Sequence, residues 1–261
     1  MESLYTLEKK NHEQEQELNQ ERLRFYTNIT HELRTPLTLI LGPLEDMQKE
    51  TSLPAKQAQK LSVIHQSALR LLNLINQILE FRKTETQNKK LCVSKGNIAP
   101  LIHEIGLKYK ELNQKTKIDF QIQIEKEEML LFFDKEIITI VLDNLISNAI
   151  KYTEQGRVTL SLYQTMRNEV AYTEIKVSDT GYGISAEALP HIFDRYYQES
   201  GKHQASGTGI GLALVKNLVT LHEGEIRAES MQNEGSTFYI SLLTDNILSL
   251  IHISEPTRPR L

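Results

Sequence analysis

The feature that most constrains this chain is a change of hydrophobic period part-way along it. Phe25, Ile29, Leu33, Pro36, Leu37, Ile40, Leu44 and Met47 fall on one face at about 100° per residue. Thr51, Ser52 and Pro54 then mark a turn, with the proline suited to the opening of a second helix. Leu61, Ile64, Ala68, Leu71, Ile75 and Ile78 step by three and four, a heptad seam. Two amphipathic helices joined by a short turn predict a hairpin. Each stripe is too wide for one partner helix to cover, so a second copy is expected to complete a dimeric four-helix bundle.

After the polar stretch Lys83–Lys90 the periods mix. Strands are predicted at Leu91–Val93, Ile118–Ile124, Met129–Phe133, Val158–Tyr163, Tyr172–Ser178, Glu225–Ser230 and Thr237–Leu243. Helices are predicted at Ile98–Leu112, Lys135–Lys151 and Thr208–Leu221, and Gln232–Gly235 reads as a hairpin turn. A largely antiparallel sheet with helices on one face, an α/β two-layer sandwich, packs such elements best. The fold class is therefore α+β, a helical hairpin followed by a sandwich. The boundaries are a helical linker at 1–24, the hairpin at 25–85, the sandwich at 86–244 and an unstructured tail at 245–261.

Composition removes several function classes. A net charge of -4 with scattered Lys and Arg predicts that no nucleic acid is bound. Cys92 is the single cysteine, so neither an internal disulfide nor a cysteine-based metal site is expected, which suits a reducing cytosol. No run approaches the ~18 apolar residues of a membrane span, and the start is too polar for a signal peptide. The chain as given reads as soluble, which leaves room for a fragment of a membrane protein.

Four groups of residues carry chemistry. His31 lies in Thr30-His31-Glu32-Leu33-Arg34-Thr35-Pro36, almost opposite the apolar stripe, with Thr35 one turn on. A neutral imidazole is a nucleophile, and the carboxylate of Glu32 is placed to hold its tautomer and take its proton. Pro36 is expected to loosen the helix just beyond. The other seven histidines, His222 among them, read as solvated surface residues. Asn144, Asn148, Lys151 and Tyr152 share one edge of the Lys135–Lys151 helix; they suit a metal ion, a phosphate and an aromatic base, although alone they read as the polar flank of an ordinary helix. Asp179-Thr180-Gly181-Tyr182-Gly183 follows a strand, where a carboxylate can accept from an exocyclic amine and glycines admit a flat ligand. Gly207-Thr208-Gly209-Ile210-Gly211 opens a helix, as a phosphate cradle does, with a spacing that is neither GxGxxG nor a Walker A. Between them, Phe193–Tyr197 and the polar segment Ser200–Ser206 read as a mobile lid, from which Lys202 or His203 reaches phosphates.

In this order the motifs resemble sensor histidine kinases. His31–Pro36 is similar to their H-box, Asp143–Thr153 to the N-box, Asp179–Gly183 to the G1 box, Phe193–Tyr196 to the F-box, Gly207–Gly211 to the G2 box and Gly235–Phe238 to the closing strand. The resemblance covers Phe25 to about Leu243 and implies a dimerisation and histidine phosphotransfer domain followed by a GHKL, or Bergerat-type, ATP-binding domain. It implies ATP and Mg²⁺ as cofactors, with Asn148 and Asn144 as the metal-binding residues. By matching position, Lys151 meets phosphate, Tyr152 flanks the adenine and Asp179 reads its amine. Gly181, Gly183, Gly207, Thr208, Gly209, Gly211, Leu212 and Thr237 shape the pocket, and Arg195 is the F-box arginine. His31 and Glu32 carry the transfer, and Thr35 orients water for dephosphorylating a partner. The implied partners are a second copy and a response-regulator receiver domain, and the implied setting is the cytoplasmic portion of an inner-membrane sensor, possessing the look of a hybrid kinase over Phe25–Asp46. The alternatives are a GHKL ATPase that hydrolyses ATP, disfavoured by the hairpin, and an ATP-sensing pseudokinase scaffold.

Overall fold

The computed structural model describes residues 30, 33–47, 54–85, 91–113, 117–198 and 209–244. The expectations for the linker 1–24, Phe25, Ile29, His31, Glu32, the turn residues Thr51 and Ser52, Lys202, His203, Gly207, Thr208 and the tail 245–261 lie outside the described residues. The chain divides into two compact units, 1–89 and 90–261.

In the first unit, α1 (33–47) and α2 (Ala55–Glu85) pack through Leu37, Leu41, Ala68 and Ile75, with Leu72 against them. Arg34 Nη2 donates to Asn76 Oδ1 at 2.7 Å, tying the two helices beside that cluster. Helix α1 continues through Pro36, so within 33–47 the proline costs a hydrogen bond and not the helix. The heptad seam is covered only in part within the hairpin. Ala68 and Ile75 are buried inside the hairpin, while Ile64 and Leu71 are about half exposed, as are Leu33, Ile40 and Met47, which are spaced by seven on α1. One helix partner covers only part of each stripe, and an outward apolar set is left over.

The second unit runs β1 (Ser94–Asn97), α3 (Ala99–Leu112), β2 (Ile118–Ile124), β3 (Leu130–Phe133), α4 (Lys135–Tyr152), β4 (Gly156–Arg167), β5 (Val170–Asp179), a short 3₁₀ turn, α5 (Gly211–Leu221), β6 (Glu225–Met231) and β7 (Gly235–Leu243). The main sheet has the order β2-β4-β5-β7-β6, with β2 parallel to β4 and every other pairing antiparallel. Strands β1 and β3 form a separate antiparallel ladder. Alternation places Val158, Leu160, Leu162, Ile175, Val177 and Ile240 on one face, all buried, against the apolar stripes of the helices, such as Val141, Leu142, Leu145 and Ile146 of α4. Each such side chain contributes about 1.5–3 kcal/mol over its exposed state. The other face carries polar and aromatic residues, including Tyr163, Glu174, Arg227, Tyr239 and Ser241.

Two expected elements move. The first strand is Ser94–Asn97 rather than Leu91–Val93; Leu91 makes a single bridge, and the Cys92 N–H is taken by Asp134 Oδ2 at 2.7 Å. Helix α5 starts at Gly211 rather than Thr208, because Gly209 has φ +68 and its carbonyl accepts from the Tyr196 N–H at 2.9 Å.

Candidate functional site

The nucleotide-binding candidates converge where α4 ends and β5 ends. Asp134 caps α4, its Oδ1 accepting from the Glu136 and Ile137 N–H groups, and so fixes where the helix begins and which residues reach its far end. Along the predicted edge, Asn144 is buried and its Nδ2 donates to the Ile140 carbonyl one turn back at 2.8 Å. Asn148, one turn further, is half-buried, and its carboxamide makes no hydrogen bond among the described residues. Lys151 Nζ lies 3.2 Å from Tyr152 Oη and 4.7 Å from the centroid of that ring, so an amine and an aromatic face stand together at the helix end.

Asp179 is the last residue of β5 and is buried. Its Oδ1 accepts from the Gly181 N–H at 2.9 Å and the Ser236 N–H at 3.3 Å; Oδ2 makes no hydrogen bond among the described residues. Burial pushes this carboxyl above its ordinary range, and the two N–H donors pull the other way. The loop after it is held tightly. A Cβ on Gly181 would stand 2.4 Å from the Tyr152 carbonyl and 2.9 Å from Asp179 Oδ1. Gly183 has φ +66, and a Cβ there would stand 2.0 Å from the Met231 carbonyl. The Tyr182 N–H donates to the Tyr152 carbonyl and its own carbonyl accepts from the Asn233 N–H, so the loop is strapped between α4 and the β6–β7 turn.

Gly209 joins the next two motifs. A Cβ on it would lie 2.5 Å from the carbonyl carbon of Tyr196, itself at φ +60, so the F-box and G2 segments meet backbone to backbone. Arg195 is exposed on that turn. Gly211 begins α5, followed by half-buried Leu212, and among the described residues no side chain caps the helix, whose N-terminal end is of the kind that receives an anion.

Two expectations need correction. Thr237, expected among the residues that shape the pocket, lies on the face of the sheet opposite Asp179, where it pairs with Ser178 and the two hydroxyl oxygens stand 2.7 Å apart. Asp179 pairs instead with Ser236, one residue earlier, which sequence reasoning missed although it lies in the same Gly235–Phe238 motif. Counting strand parity back from Asp179 requires the register, which the sequence does not carry. His222 is not a solvated surface residue. It is 2% exposed, and its Nε2 accepts from the Asp134 N–H at 3.0 Å, joining the end of α5 to the start of α4. In the first unit, Thr35 is exposed on α1 beside Arg34.

Residues 21–87 match the family described as the His Kinase A (phospho-acceptor) domain, and residues 133–246 match the family of histidine kinase-, DNA gyrase B- and HSP90-like ATPases. The chain belongs to the histidine kinases. It is 37% identical over 246 residues to histidine kinase P4 of Formosa agariphila, an alignment that covers 92% of this chain and 17% of that protein. To hybrid signal transduction histidine kinase D of Dictyostelium discoideum it is 33% identical, over 90% of this chain and 16% of the relative. This histidine kinase chain thus spans about a sixth of the length of each. Its fold resembles full-length ShkA, solved in complex with AMPPNP, with a TM-score of 0.67 and 24% identity over 83% of this chain and 45% of that one. A phosphoacceptor-type domain and an ATPase-type domain therefore lie on one polypeptide. Among the described residues of this kinase, no helix is long and apolar enough to cross a membrane.

Proposed function

We propose that this chain transfers the γ-phosphoryl group of ATP to its own His31 and passes it to an aspartate of a response-regulator receiver domain. One observation carries the reading: the phosphoacceptor-type hairpin is followed by a domain in which Asp179, at a strand end, is braced by the backbone of a glycine loop strapped to α4. That arrangement suits a purine edge. The carboxylate accepts from the exocyclic amine, Tyr152 flanks the ring, and Gly181 and Gly183 leave room that side chains would fill. Lys151 and the backbone N–H groups opening α5 face the phosphates, with the glycines at 207–211 allowing close approach.

The donor set also fits Mg²⁺. A carboxamide oxygen is a hard ligand of the kind that this ion takes alongside water and phosphate. Asn148 would hold the ion, and Asn144, oriented by its bond to the Ile140 carbonyl, would stand behind it. When bound, the ion supplies positive charge against the triphosphate. The chain's own residues do the rest. Glu32 holds the His31 imidazole in one tautomer and accepts the proton as the ring nitrogen bonds to phosphorus; the bond to the bridging oxygen breaks and ADP leaves. Thr35 positions water for removing phosphate from the receiver.

The outward apolar residues Leu33, Ile40, Met47, Ile64 and Leu71 support a homodimer through residues 25–85. In the full-length protein, this portion is cytoplasmic and belongs to a membrane-anchored sensor. Incubation with γ-labelled ATP and Mg²⁺ tests the central claim. The label is expected to be acid-labile, alkali-stable and absent from His31→Gln. Full labelling of that variant overturns the assignment, and phosphate release without any labelled protein would mark an ATPase instead.

A further inference from the structure

The hydroxyl of Ser230, on β6, touches three groups at once. Its oxygen accepts from the Ile184 N–H at 2.8 Å, lies 2.8 Å from the Gly235 carbonyl and lies 3.0 Å from Ser236 Oγ. Each hydroxyl has one proton to donate, which fixes the directions of these bonds. A carbonyl only accepts, so the single Ser230 proton goes to Gly235. The Ser236 contact then has one remaining solution, in which Ser236 donates to Ser230. That uses the only hydroxyl proton of Ser236, and its oxygen is left with lone pairs alone. Ser236 is the register partner of Asp179, and its N–H donates to Asp179 Oδ1. The two side chains that stand together at the end of β5 are thereby both acceptors.

We infer that Ser230 is a positioning residue for base selection: by fixing the Ser236 proton away from Asp179, it makes this edge accept from a ligand that presents a donor and disfavours one that presents an acceptor. A purine with a 6-amino group satisfies the edge. A purine with a 6-oxo group in the same place sets oxygen against oxygen. The same hydroxyl anchors the Ile184 N–H, and so also holds the exit of the Gly181–Gly183 loop. Nothing in residue order points to Ser230; it stands six residues before Ser236 and reaches it only across the β6–β7 pairing. The inference rests on the reading that Asp179 faces the 6-position of the base.

ADP and IDP separate the two bases without phosphoryl transfer, and titration calorimetry of the full chain with Mg²⁺ gives the affinity ratio. The wild-type chain is expected to favour ADP. In Ser230→Ala the Ser236 hydroxyl is free to rotate and donate to a 6-oxo group, a gain of one hydrogen bond, so the ratio narrows by about ten-fold. Ser230→Thr keeps the hydroxyl and restores the ratio. If Ser230→Ala weakens both nucleotides equally, its role is structural and the inference is overturned. Should that variant fail to fold, Ser236→Ala decides: removing the acceptor narrows the ratio if the inference holds and leaves it unchanged if not. Asp179→Asn distinguishes the two levels. A ratio unmoved by Asp179→Asn defeats the base reading itself, whereas a ratio moved by Asp179→Asn and not by the serine variants defeats only the role of Ser230.

Discussion

Replacing His222 should change how the stability of the nucleotide domain depends on pH. The imidazole is buried at the end of α5, and its Nε2 accepts from the Asp134 N–H, so the folded state requires that nitrogen to keep its lone pair. Burial lowers the pKa from the ordinary value of 6.5, with a weaker opposing pull from a hydrogen bond to its own backbone and from the carboxylates of Asp134 and Glu223. Above the unfolded pKa the ring is neutral in both states, and the contribution is fully present. As pH falls below it, the unfolded chain takes up a proton that the folded chain refuses. Stability then drops by about 1.4 kcal/mol per pH unit until the folded pKa is reached. His222→Leu removes the acceptor and leaves the Asp134 N–H buried without a partner, at about 1–3 kcal/mol. His222→Gln keeps an acceptor on a group that does not titrate. Urea unfolding from about pH 8 to about pH 5, followed by far-UV circular dichroism because the chain has no Trp, gives stability against pH for each. Subtracting the His222→Gln curve cancels the other titrating groups, and the difference should carry the histidine slope. Parallel curves for the two proteins would falsify the buried-neutral account.

Asp179→Asn should weaken ATP binding about ten-fold, one charge-assisted hydrogen bond, and calorimetry that shows unchanged affinity would remove Asp179 from the base site. Gly183→Ala forces a side chain onto φ +66 with its Cβ 2.0 Å from the Met231 carbonyl, so nucleotide binding should be lost or the domain melt markedly earlier; a normal melting curve with normal affinity would show that the loop can move aside. Leu71→Glu puts a charge in the outward apolar set of α2, and light scattering over a dilution series should show a dimer becoming monomer, unless those residues lie outside the interface.

Periodicity and local chemistry were enough for much of this protein. The step of three and four along 61–78 specifies a helix whatever surrounds it, and the run Ile118–Ile124 occupies β2 over the residues expected. Glycines announced themselves too, since positive φ at Gly183 and Gly209 is a demand on one residue. Whatever needed a pairing partner was hidden. The heptad seam divided into inward Ala68 and Ile75 and outward Ile64 and Leu71 because a single neighbouring helix covers only part of the stripe. Ser94–Asn97, with a glycine and an asparagine, is a poor strand by composition and became one because Leu130–Phe133 lies opposite. Thr237 and Ser236 are adjacent and chemically alike; only the register of β7 on β5 decides which one stands beside Asp179. His222 reads as a surface histidine after a helix, and its burial depends on an N–H 88 residues away. Sequence determined which segments curl or extend, because those choices are local. The tertiary structure decided which face each residue shows and which distant group satisfies its hydrogen bonds, because a side chain's neighbours across a sheet or between helices are fixed by packing and not by order along the chain.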